Sequence, residues 1–316
     1  MNTKWFVIVN PTSGNGASKK KWPLIFNELK QQQFTFKFAL TTHKFHAEKL
    51  VQNAINKGFI KFISVGGDGT LHAIVNGILT LNNNTATAIL SEIKIGIIPI
   101  GTGNDWVKTY KISKNYKEAI KTIKTENTIQ QDIGKITLKP ENKVIYFNNL
   151  AGIGFDGFVV NKVHNYKNLG SLAYLIGGLI GLFSYKKPLL EITFNTTVLK
   201  STTLLLIIGI CKYSGGGMQL TKNKSTTNGS FDITFVKNIT FFQLLANILG
   251  LFNGKITDKN FVENYKTNHL NIKVLDTKET YIQADGELIG SGNFKVALLP
   301  KTLSFIVPKS NKTVKS

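Results

Sequence analysis

The residues best suited to chemistry fall in four short stretches. Gly66-Gly67-Asp68-Gly69-Thr70 follows an apolar run, Phe59 to Ile63, that reads as a buried strand. It precedes Leu71, Ile74, Val75 and Ile78, spaced as one face of a helix. A strand that passes through glycines into a helix lets the backbone approach a ligand closely. It also turns helix N–H groups and the positive end of the helix dipole toward phosphate. Asp68 repels such an anion unless a metal, a lysine or a hydrogen-bonded network intervenes; otherwise it is a helix cap. Asn10-Pro11-Thr12-Ser13-Gly14 and Gly101-Thr102-Gly103-Asn104-Asp105 follow the strand-like runs Phe6 to Val9 and Ile93 to Ile100 in the same way. Late in the chain, Asp285 and Glu287 flank Gly286. A bend there would bring two carboxyls toward one cleft, an arrangement suited to a general base, whereas a plain Asp-Gly hairpin turn is the alternative.

Regular elements must hold these stretches. Trp22, Leu24, Ile25, Phe26 and Leu29 mark a helix after the first loop. Phe34 to Leu40 alternates like a strand and ends at Thr41, a hydroxyl donor for a ligand or a helix cap; Ala47, Leu50, Val51 and Ile55 mark the next helix. His43 and His46 lack partners at metal spacing and read as surface residues. Strands and helices thus alternate to about residue 130, predicting an α/β domain with a mostly parallel sheet whose loops gather at the carboxyl edge of the strands.

From Ile129 the pattern becomes one of alternating, antiparallel-type strands, predicting a β-sandwich over 131–308 that ends in the strands Asn293 to Leu298 and Leu303 to Val307, with the last strand free to pack back toward the first domain. Asn149 to Asp156 reads as another glycine loop, Phe241 to Phe252 as an inserted helix, and 309–316 as a basic, disordered tail.

Composition narrows the classes. The 316 residues are 42% apolar, enough for a sizeable core and, at this length, two domains. The single cysteine, Cys211, forbids an internal disulfide and fits a reducing compartment. Met1 to Trp5 runs directly into a strand, so no signal peptide is expected. The longest apolar segment, Leu169 to Ser184, is short for a membrane span and carries four glycines; it reads as a buried helix or an interfacial element flanked by Lys186 and Lys187. The net charge of +21 favours anionic partners such as nucleotide phosphates or acidic headgroups. No nucleic-acid-binding module accompanies it, and no nucleic-acid partner is expected.

Taken in order, Asn10 to Gly14, Gly66 to Thr70, Gly101 to Asp105, Asn148 to Asp156, Tyr213 to Met218 and Ala284 to Glu287 resemble the diacylglycerol kinase and sphingosine kinase catalytic family, in its small soluble bacterial lipid kinase branch. The resemblance covers nearly the whole chain. It implies a nucleotide-binding α/β domain like that of phosphofructokinase or NAD kinase, a lipid-holding β-sandwich, and ATP in the cleft between them. It implies that Asn10, Pro11, Thr12, Ser13, Gly14, Thr41, Gly66, Gly67, Asp68, Gly69, Thr70, Thr102 and Asn104 contact the nucleotide. Asp68 and Asp105 would join a network with Mg²⁺ and water, and Asp285 or Glu287 would take the proton of the lipid hydroxyl. A structural magnesium would use the side chain of residue 228 with the backbone oxygens of Ser225 and Ser230. There the family usually has Asp-Gly and this chain has Asn228-Gly229, which keeps a carbonyl ligand and loses the charge. The activity implied is ATP- and Mg²⁺-dependent transfer to a diacylglycerol-like or long-chain lipid, serving phospholipid metabolism. The protein would be cytoplasmic and would touch the inner face of the membrane transiently. An exposed strand edge in the second domain could pair two copies. The rival readings are an NAD kinase and a catalytically silent lipid- or nucleotide-binding protein.

Overall fold

The computed structural model describes residues 2–81, 90–163, 185–222, 225–276 and 280–309. The apolar segment Leu169 to Ser184 and the tail beyond Lys309 lie outside them. The chain divides into two compact units, Met1–Gln130 with Leu303–Ser316, and Gln131–Thr302.

In the first unit, β1 (Asn2–Val9), β2 (Phe36–Leu40), β3 (Phe59–Gly66) and β4 (Lys94–Pro99) form a parallel sheet in the order β2-β1-β3-β4. Ser304 and Phe305, near the end of the last strand β18 (Phe294–Ile306), extend it by pairing parallel with β4. The middle strands are buried on both faces, which is why β3 and β4 read as near-continuous apolar runs. Helices α1 (Ala17–Gln31), α2 (His46–Asn56), α3 (Asp68–Leu79) and the helix Tyr116–Lys124 supply the cover. In the helix Tyr116–Lys124, Ile120 and Ile123 point inward, and Asn115 caps its start by accepting from the Lys117 N–H at 2.9 Å. The chain leaves β1 toward β2 on one side and returns to β3 on the other. The loops after β1 and β3 therefore open at a topological switch point, where sheets of this kind bind ligands.

The second unit is antiparallel. One sheet runs β14-β13-β10-β7-β16-β17, with β7 (Leu150–Gly154), β10 (Leu205–Gly209), β13 (Phe231–Val236), β14 (Val262–Thr267), β16 (Ile282–Ala284) and β17 (Glu287–Gly290). In a second sheet, β8 (Leu189–Phe194) lies between β9 (Thr197–Thr202) and β15 (His269–Val274), and β15 pairs with the first residues of β18. β5 (Thr128–Leu138) and β6 (Lys143–Phe147) form a further antiparallel pair, and β11 (Tyr213–Ser214) with β12 (Met218–Gln219) a short one.

Three expectations change. The stretch Asn149 to Asp156 is the central strand β7 followed by the helix Phe155–Val163, not a glycine loop. Its glycines let neighbours close in: a Cβ on Gly152 would lie 2.1 Å from Asp156 Oδ2 and 2.8 Å from the Leu206 carbonyl. Phe241 to Phe252 is two short helices, Phe241–Ala246 and Ile248–Asn253, split where the Asn247 side chain donates to the Gln243 carbonyl at 2.8 Å. The two last expected strands, Asn293 to Leu298 and Leu303 to Val307, are one strand, β18. Among the described residues no helix is long and apolar enough to cross a membrane.

Candidate active site

The first unit gathers three of the four sequence stretches. Asn10, just past β1, donates its backbone N–H to Val65 O at 3.0 Å and its side-chain amide to Thr70 Oγ1 at 3.2 Å. Its Oδ1 accepts from Thr12, backbone at 3.2 Å and hydroxyl at 2.8 Å. The Ser13 hydroxyl oxygen accepts from the Gly67 N–H at 3.3 Å, and Pro11 O accepts from the Lys19 N–H. Thr41 is held to the same edge by its N–H on Val9 O, 2.9 Å. Gly66, Gly67 and Gly69 carry the chain from β3 into α3, whose start has no side-chain cap. Gly67 and Gly101 touch backbone to backbone: a Cβ on Gly101 would lie 2.8 Å from Gly67 Cα. Asn104, in the left-handed region at φ 50, donates to Gly101 O at 2.7 Å.

Asp68 joins the second and third loops. Its Oδ2 accepts from the Asp105 N–H at 3.0 Å and its Oδ1 from the Trp106 N–H at 3.2 Å. It thus caps the short helix Asp105–Thr109 rather than its own. Asp105 is buried and its Oδ1 pairs with Lys108 Nζ at 2.7 Å. Beside these loops lies a cavity of about 280 Å³ lined by Gly14, Asn15, Lys21, Gly101, Thr102 and Lys114. Glycine backbone and two ammonium groups suit a polyphosphate. Sequence reasoning missed both lysines. Lys21 belongs to a run of three directly after the first loop, a signal that could have found it; nothing in the sequence marks Lys114.

Among the described residues no three His, Cys, Asp or Glu side chains assemble as a metal-holding group. With both Asp68 oxygens on backbone N–H groups and Asp105 on Lys108, these carboxylates fit a cation carried by phosphates and water rather than a cage built by protein alone. In the second unit, the loop expected to hold a structural magnesium is ordered by hydrogen bonds of its own. Asn228 Oδ1 accepts from the Ser230 N–H at 3.3 Å, Ser225 Oγ from the Thr227 N–H at 3.4 Å, and the Gly229 N–H donates to Asp132 Oδ2 at 2.8 Å. The ligands that the resemblance implies, the Asn228 side chain and the backbone oxygens of Ser225 and Ser230, lie on this loop.

In the second unit Asp285 and Gly286, at φ 52 and 82, form the two-residue turn of the β16–β17 hairpin. The hairpin alternative weighed from the sequence is therefore real, and it also aims the carboxylate. Asp285 Oδ1 accepts from the N–H groups of Asn149 at 2.9 Å and Leu150 at 3.2 Å, and Oδ2 from that of Asn148 at 3.1 Å. Asp285 thereby holds the β6–β7 connection. Glu287 opens β17 opposite Ala284 and is half-buried.

One further carboxylate sits behind the turn. Gln283 accepts from the Gly286 N–H at 3.0 Å and donates to Asp156 Oδ2 at 2.9 Å; Asp156 Oδ1 has no partner among the described residues. Complete burial pushes the Asp156 carboxyl up to about 6, with the Gln283 bond opposing. Below the unfolded value both states hold the proton. As pH rises, the unfolded chain releases it first, so folding loses roughly 2–3 kcal/mol between about pH 4 and 6. Asp156→Asn keeps an acceptor for Gln283 and removes that loss. Denaturant titrations at pH 4.5 and 7.5 should show the variant gaining on wild type at the higher pH; an equal gap at both would contradict the assignment.

Comparison with known proteins agrees with this architecture. The model of the diacylglycerol kinase catalytic domain matches residues 4–136, and that of the YegS C-terminal NAD kinase beta sandwich-like domain matches 149–307. The protein named "Putative lipid kinase YtlR" of Bacillus subtilis is 27% identical over 313 residues, spanning 95% of this chain and 98% of its own. A diacylglycerol kinase of the same organism is 25% identical over 310 residues, with 96% of each chain covered. The crystal structure of a putative diacylglycerol kinase from Bacillus anthracis superposes with a TM-score of 0.76 at 24% identity, over 97% of this chain and 98% of that one, a likeness of fold. With both units matched in order along the chain, the protein belongs to the diacylglycerol kinase catalytic family.

Proposed function

We propose that this kinase transfers the γ-phosphate of ATP to a hydroxyl of a diacylglycerol-like or long-chain lipid. The observation that carries the reading is the gathering of Asn10 to Gly14, Gly66 to Thr70 and Gly101 to Asn104 beside a cavity carrying Lys21 and Lys114. Phosphoryl transfer asks the protein mainly for positioning and charge stabilisation. The loop N–H groups and the two lysines hold phosphate oxygens. Asp68 keeps the Gly101–Asn104 loop in register with α3 through the Asp105 and Trp106 N–H groups. Mg²⁺, when bound with the nucleotide, offsets phosphate charge, with Asp68 and Asp105 as the carboxylates that would reach it through water. Asp285 or Glu287 takes the proton of the attacking hydroxyl, Asp285 from a turn locked by three backbone N–H groups. In this reading the protein works at the cytoplasmic face of the membrane, where its charge of +21 draws it to acidic headgroups.

The test is transfer of label from γ-labelled ATP to a panel of diacylglycerol, monoacylglycerol, ceramide, sphingosine and undecaprenol in mixed micelles, with NAD as control and with or without Mg²⁺. Label on a lipid, dependent on Mg²⁺, is the expected result. Label on NAD alone, or on nothing, overturns it.

A further inference from the structure

From Asn238 to Gly254 the chain carries no charged residue, yet this segment is bounded by Lys237 and Lys255. It folds as the helices Phe241–Ala246 and Ile248–Asn253, and its hold on the second unit is partly polar. Gln219 Nε2 donates to Phe252 O at 2.7 Å, and the backbone of Gly250 lies against Ile256. Three of its large apolar side chains, Phe242, Leu249 and Phe252, face outward. Phe242 and Leu249, both 77% exposed, are the most exposed large apolar side chains among the described residues, and Phe252 is 45% exposed. A helix pair that presents Phe and Leu to solvent offers an apolar docking face.

Charge selects the partner. Asp258 and Glu263, the acids nearest in sequence on the C-terminal side, are neutralised by Lys222 at 2.6 Å and Lys237 at 2.7 Å. Lys255 and Lys259, just past the second helix, are exposed and have no ion pair among the described residues. A second copy docking on this face by a two-fold axis would set these lysines against their own copies, which repel. An anionic bilayer takes both features: apolar tips enter the acyl boundary and ammonium groups meet acidic headgroups. We propose that the helix pair Phe241–Asn253 is the surface by which this protein docks on an anionic membrane, with Phe242, Leu249 and Phe252 as the inserting side chains and Lys255 and Lys259 as the headgroup contacts. The proposal rests on the reading that the acceptor is a membrane lipid.

Co-sedimentation with vesicles of phosphatidylcholine, alone or mixed with phosphatidylglycerol, tests it on the full chain. Wild type should bind the mixed vesicles in preference. Phe242→Ser, Leu249→Ser and Phe252→Ser together should weaken that binding about a hundred- to a thousandfold, since each inserted side chain contributes roughly five- to tenfold. Lys255→Glu with Lys259→Glu should lower the preference for phosphatidylglycerol about tenfold or more. Both variants change exposed residues, and their thermal unfolding should match wild type. Unchanged binding by the serine variant overturns the proposal, as does absence of wild-type binding. So does a shift from dimer to monomer in sedimentation velocity with vesicle binding intact, which would assign the face to a second copy. Detergent-dispersed lipid separates the two claims. The serine variant should phosphorylate it as wild type does, whereas a wild type that docks through this face and labels no lipid would remove the kinase reading alone.

Discussion

Asp285→Ala should unfold the second unit before it reports on catalysis. The carboxylate accepts from the backbone N–H groups of Asn148, Asn149 and Leu150, and Asn148, Asn149 and Leu150 are all buried. Alanine strands three donors, each costing about 1–3 kcal/mol when left without an acceptor. It also places a Cβ-bearing residue without a local hydrogen-bonding side chain at φ 52. The sum, roughly 4–7 kcal/mol, is a large fraction of an ordinary domain's stability, and a melting point at least about 10 °C lower is expected. Asp285→Asn should fall in between, because its amide group turns two donors toward donors. Activity lost by either variant must therefore be read beside its melting curve. Glu287→Gln is the cleaner probe of the base. Half-buried at the start of β17, it should leave the melting point within about 2 °C of wild type. If glutamate is the proton acceptor, kcat falls by about 10²–10⁴ with KM for ATP unchanged. A Glu287→Gln enzyme of full activity assigns the proton to Asp285. An Asp285→Ala protein that melts like wild type would refute the structural role.

Asp68→Ala should act in the opposite way, with a large loss of activity and a modest loss of stability. Its two oxygens hold the N–H groups of Asp105 and Trp106, so they fix where Gly101 to Asn104 stands against α3. Trp106 is fully buried against Phe305, with ring centroids 4.8 Å apart, and that packing keeps the short helix in place without the aspartate. The expected stability loss is about 1–2 kcal/mol, the loss of a helix cap. Phosphoryl transfer tolerates misplacement poorly, and kcat/KM for ATP should fall about 10³-fold. Asp68→Asn keeps one acceptor and should recover part of it. Steady-state kinetics with varied ATP, alongside thermal melts, decide the matter. A folded Asp68→Ala enzyme with wild-type kcat/KM would remove this residue from the site.

The sequence made the first unit legible because its signals are local. Each of the loops after β1, β3 and β4 follows an apolar strand and opens a helix, so their meeting at one sheet edge follows from a parallel order alone. The partners that join them were not legible. Nothing in the spacing of Asp68 tells that it caps a helix beginning 37 residues later at Asp105. In the second unit the glycines of β7 misled. A Gly-rich run signals a loop when only the chain itself is considered, but Gly152 here makes room for the Asp156 carboxylate and the Leu206 carbonyl in a crowded strand. Asp-Gly at 285 and 286 offered both a turn and a candidate base in the sequence, and the structure shows the turn, with the carboxylate aimed at the β6–β7 connection. Asn228 showed its lost charge in the sequence, while the use of its carbonyl within its own loop needed the coordinates.

The pairing of Ser304 and Phe305 with β4 bears on how the molecule is made. Residues Met1 to Gln130 leave the ribosome first, but the edge of their sheet stays open until the far end of β18 has been translated. Until then the hydrogen-bonding edge of β4 is exposed and Trp106 lacks the cover of the Phe305 ring, a state prone to pairing with other chains. Vectorial synthesis thus delays completion of the first unit to the final residues of the last strand. A nascent chain stalled before residue 303 would carry all three glycine-bearing loops on an unfinished scaffold, recognisable to chaperones by that edge.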